Sequence, residues 1–262
     1  MQLTGRTAVL TGASGGIGAA MAQALSDAGV RLLLVGRRAP ALQALAAQLG
    51  VQHQALVADV ASSAGRAAVH HACAALPQGL DLLINNAGVS EFGAFDTQPQ
   101  ALVEEQITTN LLAPMLLTQA LLPALRRAPR GLIVNVGSAL GSLGYPGYAA
   151  YAASKFGLRG FSEALRRELA DSAVGVLYLA PRATATAINS ERVVALNSAL
   201  GNATDAPEVV AQALLRQLRE ERPYLAVGGP ERLFARLNAL LPGLIDRAIR
   251  RQLPTIRRFL AN

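Results

Sequence analysis

The chain has 262 residues, of which 52% are hydrophobic and 16% are charged, and its formal net charge is +7. Its length suits one large α/β domain, and its apolar content excludes an intrinsically disordered chain, because such chains bury too little apolar surface to offset the entropy lost on ordering. One cysteine and three histidines exclude a disulfide framework and a cysteine-based zinc cluster, so we expect no metal, and the lack of tryptophan argues against nucleic-acid binding.

Short apolar runs alternate along the chain with alanine- and leucine-rich helical stretches. Predicted strands span residues 7–10, 31–35, 54–57, 80–84, 132–136, 174–179 and 224–227. Predicted helices span residues 16–28, 39–49, 62–76, 100–125, 149–171 and 207–220. Strands that are apolar on both faces, each followed by a helix, indicate a parallel sheet with helices on both faces. Because such connections are right-handed, we predict an α/β protein with a doubly wound, seven-stranded parallel sheet of the Rossmann type, which binds ligands at the carboxyl ends of its strands.

The first predicted strand leads directly into a glycine-rich turn, and a helix follows. The turn reads Thr11-Gly12-Ala13-Ser14-Gly15-Gly16-Ile17-Gly18. Glycines let backbone N–H groups approach a pyrophosphate, and the helix N-terminus offers partial positive charge to it. The predicted cofactor contacts in this turn are Gly12, Ser14, Gly15, Gly16, Ile17 and Gly18. A tight strand-to-helix connection that needs glycine for its own geometry is the alternative interpretation.

Two arginines follow the second predicted strand. A free ribose 2′-hydroxyl is usually held by a carboxylate at this strand end, but Gly36 stands there and Arg37 and Arg38 come next. Guanidinium groups suit a 2′-phosphate through charge-assisted hydrogen bonds. The sequence therefore predicts NADP(H) in preference to NAD(H), although two solvated loop arginines would look the same.

Four further segments carry chemistry. They are Asn85-Asn86-Ala87-Gly88 after the fourth strand, Asn110 in the long helix, Ser138 after the fifth strand, and Tyr151-Ala152-Ala153-Ser154-Lys155. With the glycine turn, they make the chain resemble the short-chain dehydrogenase/reductase family over about residues 3–227. The resemblance implies an oxidoreductase that moves a hydride between a nicotinamide and a carbonyl/alcohol pair, with Asn110, Ser138, Tyr151 and Lys155 as its catalytic residues.

The residue chemistry independently supports this assignment. Tyr151 and Lys155 are four residues apart, so a helix places them on one face, where an ammonium is expected to lower the pKa of the phenol. Such a phenol can exchange a proton with a carbonyl oxygen, and Ser138 can donate a hydrogen bond to the same oxygen. Lys155 is the only lysine in a chain with 24 lysines and arginines. An arginine there could not lose a proton, so it would serve poorly in a proton relay.

The resemblance also implies roles for residues whose chemistry alone does not assign them. It implies that Lys155 bonds the nicotinamide ribose and that Asn110 holds a water beside the lysine. It further implies that Asp59, Val60, Asn86, Ala87 and Gly88 line the adenosine side of the cofactor, and that Pro181, Thr184 and Thr186 line the nicotinamide side. A structural alternative for Asn110 is a helix-break amide, and for Ser138 a turn cap. Arg182 departs from the family, which usually has glycine there, and we predict that it faces the cofactor pyrophosphate, an acidic substrate group or solvent.

Two segments are expected to form the substrate walls, the loop after the fifth strand and a substrate loop over residues 187–206. Residues 139–148 and 187–206 are mostly apolar, which favours a hydrophobic carbonyl substrate such as a 3-oxoacyl compound over a sugar. The alternative from another class is a non-catalytic NAD(P)-binding sensor or scaffold, because a fold does not fix a function. The resemblance implies a homotetramer or homodimer.

Much of the net charge lies in the final segment. Residues 230–262 carry seven arginines against Glu231 and Asp246, and their apolar spacing predicts short amphipathic helices broken by Pro242 and Pro254. This basic extension either packs on the domain with a solvated face or contacts anionic lipid or an acidic acyl carrier. The chain start lacks a signal-peptide pattern, and the longest apolar stretch, residues 111–125, is interrupted by prolines. We therefore expect one cytoplasmic domain over residues 1–262, associated at most with a membrane surface.

Overall fold

The computed structural model describes residues 1–229 and 237–260. Residues 230–236, which include Arg232 and Arg236 of the predicted basic extension, lie outside the described residues, as do residues 261–262. Within the described part the strands are β1 (Thr7–Thr11), β2 (Arg31–Gly36), β3 (Gln54–Val57), β4 (Leu82–Asn85), β5 (Gly131–Val136), β6 (Val174–Ala180) and β7 (Tyr224–Ala226). The α-helices there are α1 (Gly16–Asp27), α2 (Ala39–Leu49), α3 (Ser63–Ala74), α4 (Gln100–Ile107), α5 (Ala113–Leu125), α6 (Ala149–Glu168), α7 (Glu191–Ala199), α8 (Pro207–Glu220) and α9 (Pro242–Leu260).

The strands form one seven-stranded parallel sheet in the order β3-β2-β1-β4-β5-β6-β7. The predicted doubly wound sheet is therefore confirmed. The chain order reverses between β1 and β4, and ligands bind outside the carboxyl ends of the strands at such a switch point.

Both faces of the sheet are covered. One face packs on α1 and α8 through a core that includes Leu10, Met21 and Leu214. The other packs on α3 and α5 through a core that includes Val9 and Leu117. This double burial explains why the strands, apart from the exposed edge strand β3, are continuous apolar runs and do not alternate.

The long predicted helix over residues 100–125 contains a change of pitch. A π-helical turn, Thr108–Leu112, joins α4 to α5. It precedes Pro114, whose missing N–H cannot continue the α-helical bonding pattern. By length and composition the whole helix could cross a membrane. Here, however, Leu117 and Leu121 are fully buried in the core below the sheet.

Two predictions about the second half of the chain were wrong. Helix α7 lies inside residues 187–206, which we expected to form a loop, and Ser190 caps its N-terminus. The expected break at Pro254 does not occur, because α9 is one helix that continues through this residue. It begins at Pro242, since the first turn of a helix tolerates a residue without an N–H.

Candidate active site

A cavity of about 900 Å³ opens at the carboxyl ends of the central strands. Every predicted cofactor-binding residue lines it, and so do Ser138, Tyr151 and Lys155. Asn110 does not line the cavity and is only 1% exposed. The sheet therefore brings together residues that lie up to 174 positions apart, from Gly12 to Thr186.

The glycine turn has the shape that a pyrophosphate requires. Gly12 has φ +64°, and a Cβ there would come 2.8 Å from the Ala87 Cα atom. A Cβ on Gly16 would come 2.6 Å from the Cγ2 atom of Thr186, so the turn can approach the loop after β6 closely. Helix α1 begins at Gly16 with no side-chain cap and no acidic residue in its first turn. Its N–H groups and partial positive charge face the cavity, which fits a bound dinucleotide.

The two arginines after β2 occupy one rim of this cavity. An Nη atom of Arg38 donates to the Ser14 carbonyl at 2.6 Å, which ties it to the glycine turn. Arg37 lies 3.6 Å from Glu105, and both side chains of this pair are largely exposed. Arg38 is therefore held beside the turn and Arg37 is paired with α4, and both guanidiniums face solvent at the cavity rim.

The segment after β4 is joined to the glycine turn by four part-buried hydrogen bonds. Asn86 donates to the carbonyls of Thr11 and Gly12 at 3.0 and 3.2 Å. The Thr11 hydroxyl oxygen accepts from the backbone N–H groups of Asn86 and Ala87, each at 3.0 Å. These bonds keep the carboxyl ends of β1 and β4 at a fixed separation across the switch point.

Ser138, Tyr151 and Lys155 converge on the other side of the cavity. The Lys155 Nζ atom donates to the Val136 carbonyl at 3.1 Å and lies 5.8 Å from the Tyr151 ring centroid. The Ser138 oxygen accepts the Leu140 N–H at 3.1 Å, and its hydroxyl interacts with the Tyr151 phenol in the direction that lowers the phenol pKa. The three polar groups thus meet at the end of β5.

Burial controls the electrostatics of this group. It raises the pKa of Tyr151, and the interaction with the Ser138 hydroxyl only partly opposes that rise. It also lowers the pKa of Lys155 to about 8. The expectation that Lys155 lowers the phenol pKa is therefore not supported, because desolvation outweighs the attraction across 5.8 Å. Tyr151 is a protonated acid at neutral pH.

Asn110 lies in the π-helical turn, behind the cavity wall. Its Oδ1 atom accepts from the Val89 N–H at 2.9 Å, and its Nδ2 atom donates to the Val89 carbonyl at 2.8 Å and the Ser154 hydroxyl at 3.1 Å. Ser154 in turn donates to the Tyr151 carbonyl at 2.7 Å. Asn110 therefore links the segment after β4 to the helix that carries Tyr151.

Sequence reasoning missed Tyr178, a fully buried residue of β6. Its hydroxyl donates to the Lys155 carbonyl at 3.2 Å and accepts from the Ser138 N–H at 3.4 Å. A Cβ on Gly137 would come 2.0 Å from this hydroxyl, so the phenol fits only beneath glycine. Tyr178 therefore holds the backbone of two predicted catalytic residues, and the sequence signs of it are Gly137 and Gly141, where a Cβ would come 2.0 and 2.2 Å from the hydroxyl.

Arg182 lines the cavity, and its guanidinium forms a bidentate pair with Asp205, with N–O distances of 2.8 and 2.6 Å. Its contact with the cofactor pyrophosphate or an acidic substrate group stays a prediction. Thr184 and Asp205 also form a parallel β-bridge. Arg182 thus ties together the two ends of the segment that holds α7, because a bidentate pair fixes direction as well as distance.

The rest of the cavity wall is mostly apolar and uses three parts of the chain. Leu140, Leu143 and Tyr148 come from the predicted first wall, and Ile188, Val193 and Leu196 from the second. Helix α9 adds Ile245, Ala248, Ile249 and Gln252, which the sequence did not place there. The Tyr145 hydroxyl donates to Gln252 at 3.0 Å and joins α9 to the first wall.

Comparison with known proteins agrees with this site. The sequence profile described as short chain dehydrogenase matches residues 6–196. Nodulation protein G of Rhizobium sp. (strain N33) is 38% identical over 69% of this chain and 74% of its own length. A 3-oxoacyl-[acyl-carrier-protein] reductase of Vibrio cholerae is 31% identical over 86% of this chain and 94% of its own length.

Solved structures have the same fold. A short-chain dehydrogenase from Sphingobium yanoikuyae in complex with NADPH has a TM-score of 0.77 and 31% identity, over 92% of this chain and 95% of that one. The fold and site define a nicotinamide-dinucleotide oxidoreductase that interconverts a carbonyl and an alcohol. The chain belongs to the short-chain dehydrogenase/reductase family.

Proposed function

We propose that the protein is an NADPH-dependent reductase of a hydrophobic carbonyl compound of the 3-oxoacyl class. The observation that carries this is the cavity itself, which joins Ser138 and Tyr151 to an apolar wall drawn from residues 139–148, α7 and α9. Polar groups at one end and apolar side chains along the rest suit a carbonyl at the head of a hydrocarbon chain.

The proposed proton donor is Tyr151. Its phenol stays protonated at neutral pH because burial raises its pKa, so it can give its proton to the carbonyl oxygen of the substrate. The Ser138 oxygen already accepts the Leu140 N–H, which leaves its own O–H to stabilise charge on the same substrate oxygen. The nicotinamide, when bound, supplies the hydride for the carbonyl carbon.

Lys155 and Asn110 complete the proposed set. As an ammonium, Lys155 stabilises the phenolate that remains after proton transfer, and it would also bond the nicotinamide ribose. Asn110 acts by position, since its bonds to Val89 and Ser154 hold the helix that carries Tyr151. The groups that would bind the pyrophosphate are the N–H groups of Gly15, Gly16 and the first turn of α1.

The preference for NADPH rests on Arg37 and Arg38. No carboxylate stands at Gly36, where a 2′-hydroxyl would need one, and both guanidiniums line the cavity. The Arg38 side chain is already anchored on the Ser14 carbonyl, so little ordering remains when it binds a phosphate.

We expect Arg37→Ala and Arg38→Ala each to lower kcat/KM for NADPH by about 10- to 100-fold, because each removes charge-assisted hydrogen bonds to a phosphate. The value for NADH should change by less than about 3-fold, since NADH has no 2′-phosphate. Steady-state kinetics with both dinucleotides measures this. Arg126→Ala, an exposed arginine outside the cavity, is the control. A wild type that prefers NADH, or equal losses with both dinucleotides, contradicts the assignment.

The substrate class also has support from a relative, since the Vibrio cholerae protein is named a 3-oxoacyl-[acyl-carrier-protein] reductase. We expect kcat/KM to rise by about 3- to 4-fold for each methylene added to a 3-oxoacyl thioester, until the apolar part of the cavity is filled. Loss of NADPH absorbance measures this across a chain-length series and a ketose.

A matched pair of variants tests which residues set the preference for acyl-chain length. Ile249→Ser changes the cavity wall on α9 and should flatten the series, while the exposed Leu240→Ser should leave it unchanged. A ketose that reacts as fast as the long thioesters would contradict the proposed substrate class.

A further inference from the structure

The outer face of α9 is a row of arginines. The exposed residues are Arg247, Arg250, Arg251, Arg257 and Arg258. They lie on the opposite side of the helix from Ile245 and Ile256, which are 4% and 0% exposed. The row extends over about 16 Å, at 1.5 Å per residue.

These arginines differ from others in the chain because they have no partner among the described residues. Arg6, Arg130 and Arg182 each reach a carboxylate at 2.6–2.8 Å. Within residues 1–229 and 237–260, none of the five α9 arginines has an ion pair or hydrogen bond to a side chain. The only acidic residue of α9 is Asp246, so the face is strongly positive.

Exposed leucines lie at the start of this row. Leu240, Leu241 and Leu244 are 78%, 56% and 52% exposed. Leu244 precedes Arg247 by three residues and Arg251 by seven, which places all three on one face of the helix. The surface therefore combines guanidiniums with large apolar side chains that are each more than half exposed.

We propose that this face of α9 docks on an anionic phospholipid surface. Guanidinium forks match phosphate groups, and the three leucines can enter the boundary between headgroups and acyl chains. An acidic protein would pair with the arginines but would leave the leucines against a charged surface. The combination of the two residue types therefore favours the membrane.

The proposal has a consequence for the cavity. The inner face of α9 carries Ile245, Ala248, Ile249 and Gln252, which line the cavity that holds Tyr151. Only the thickness of one helix, about 10 Å, then separates the cavity from the lipid surface. The surface assignment itself depends only on α9 and not on the proposed reaction.

Co-sedimentation of the full-length protein with vesicles tests the proposal. We expect about 10-fold more protein on vesicles with one-third phosphatidylglycerol than on pure phosphatidylcholine, and less binding at high salt. Arg250→Glu/Arg251→Glu should reduce binding to the phosphatidylcholine level. Leu240→Ser/Leu241→Ser/Leu244→Ser should weaken binding at every salt concentration.

The control is Arg126→Glu/Arg127→Glu, which makes the same charge change on exposed residues after α5. Thermal unfolding of each variant tests whether the substitutions keep the fold. The proposal is overturned if both vesicle types pellet the protein equally or if the control pair loses as much binding. It is also overturned if the protein does not bind vesicles but does bind an acidic carrier protein or a second copy of the chain, and Arg250→Glu/Arg251→Glu abolishes that binding.

Discussion

Replacing Tyr151 with phenylalanine is expected to lower kcat for carbonyl reduction by about 10²- to 10⁴-fold, the usual contribution of a positioned general acid. The variant removes one oxygen and keeps the ring, so the 6.0 Å contact with the Tyr148 ring should persist. The dissociation constant for NADPH, measured by titration calorimetry, should change by less than about 2-fold if the phenol acts mainly in proton transfer.

The chain offers a close control for this experiment. Tyr148 is three residues away, lines the same cavity and packs on the Phe92 ring at 5.1 Å. Burial raises its pKa as well, so a second protonated phenol stands beside the proposed proton donor. Tyr148→Phe should retain more than about a tenth of kcat. If Tyr148→Phe loses as much as Tyr151→Phe, or if Tyr151→Phe keeps its turnover, the proton donor has been assigned to the wrong residue.

The convergence of the predicted cofactor-binding residues on one cavity could be deduced from sequence because these residues follow strands. The carboxyl ends of parallel strands meet at one edge of a sheet, so residues just after β1, β2, β4 and β6 had to converge. The glycine turn, Asn86 and Thr186 are all of this kind, and all line one cavity. Most strand positions were predictable because burial on both faces leaves a continuous apolar run, although β3 is an exposed edge strand.

Features made by distant pairs could not be predicted in this way. Tyr178 reaches Lys155 across 23 positions, and Arg182 reaches Asp205 across another 23. Nothing in the local sequence around Arg182 indicates a carboxylate partner. The path of α9 along the cavity depends on packing between Ile256 and Phe92, which are 164 positions apart.

The direction of the Tyr151 pKa shift could not be predicted from the sequence either. Spacing shows that Lys155 lies on the same helix face, but it does not show how completely both groups are buried. Desolvation raises the pKa of the phenol and lowers that of the amine. A four-residue spacing therefore predicts proximity, and only the packed structure decides which electrostatic effect is larger.

The second large effect is expected from Lys155→Met, which should abolish most turnover and yet stabilise the protein at pH 7. Burial lowers the pKa of Lys155 from 10.5 to about 8, so the native state holds this proton less tightly than the unfolded chain does. The buried ammonium then destabilises the native state by about 3 kcal/mol below pH 8. Loss of the hydrogen bond to the Val136 carbonyl destabilises the variant by about 1 kcal/mol, so its net gain in stability is about 2 kcal/mol.

The pH dependence of unfolding tests whether Lys155→Met is more stable than the wild type for this reason. Between about pH 8 and 10.5 the unfolded chain binds the proton and the native chain does not, so the unfolding free energy of the wild type rises with pH. The advantage of Lys155→Met should therefore shrink across this window, as measured by urea unfolding at several pH values. The rate of carbonyl reduction by the wild type should fall as the pH rises from about 8 to 9, because the Lys155 ammonium that stabilises the phenolate loses its proton.

The sequence makes the amine itself observable. Lys155 is the only lysine, so 15N-lysine labelling places one side-chain nitrogen signal in the whole chain. That signal should titrate near pH 8, and a midpoint close to the ordinary 10.5 would contradict the burial argument.

Arg159→Met on the same helix is the stability control for Lys155→Met. Its cation bonds Glu163 at 3.0 Å and is part-exposed, so its loss should destabilise the protein slightly and without a step near pH 8. An equal gain in stability from both methionine variants would show that added apolar surface, and not relief of a buried charge, explains the result.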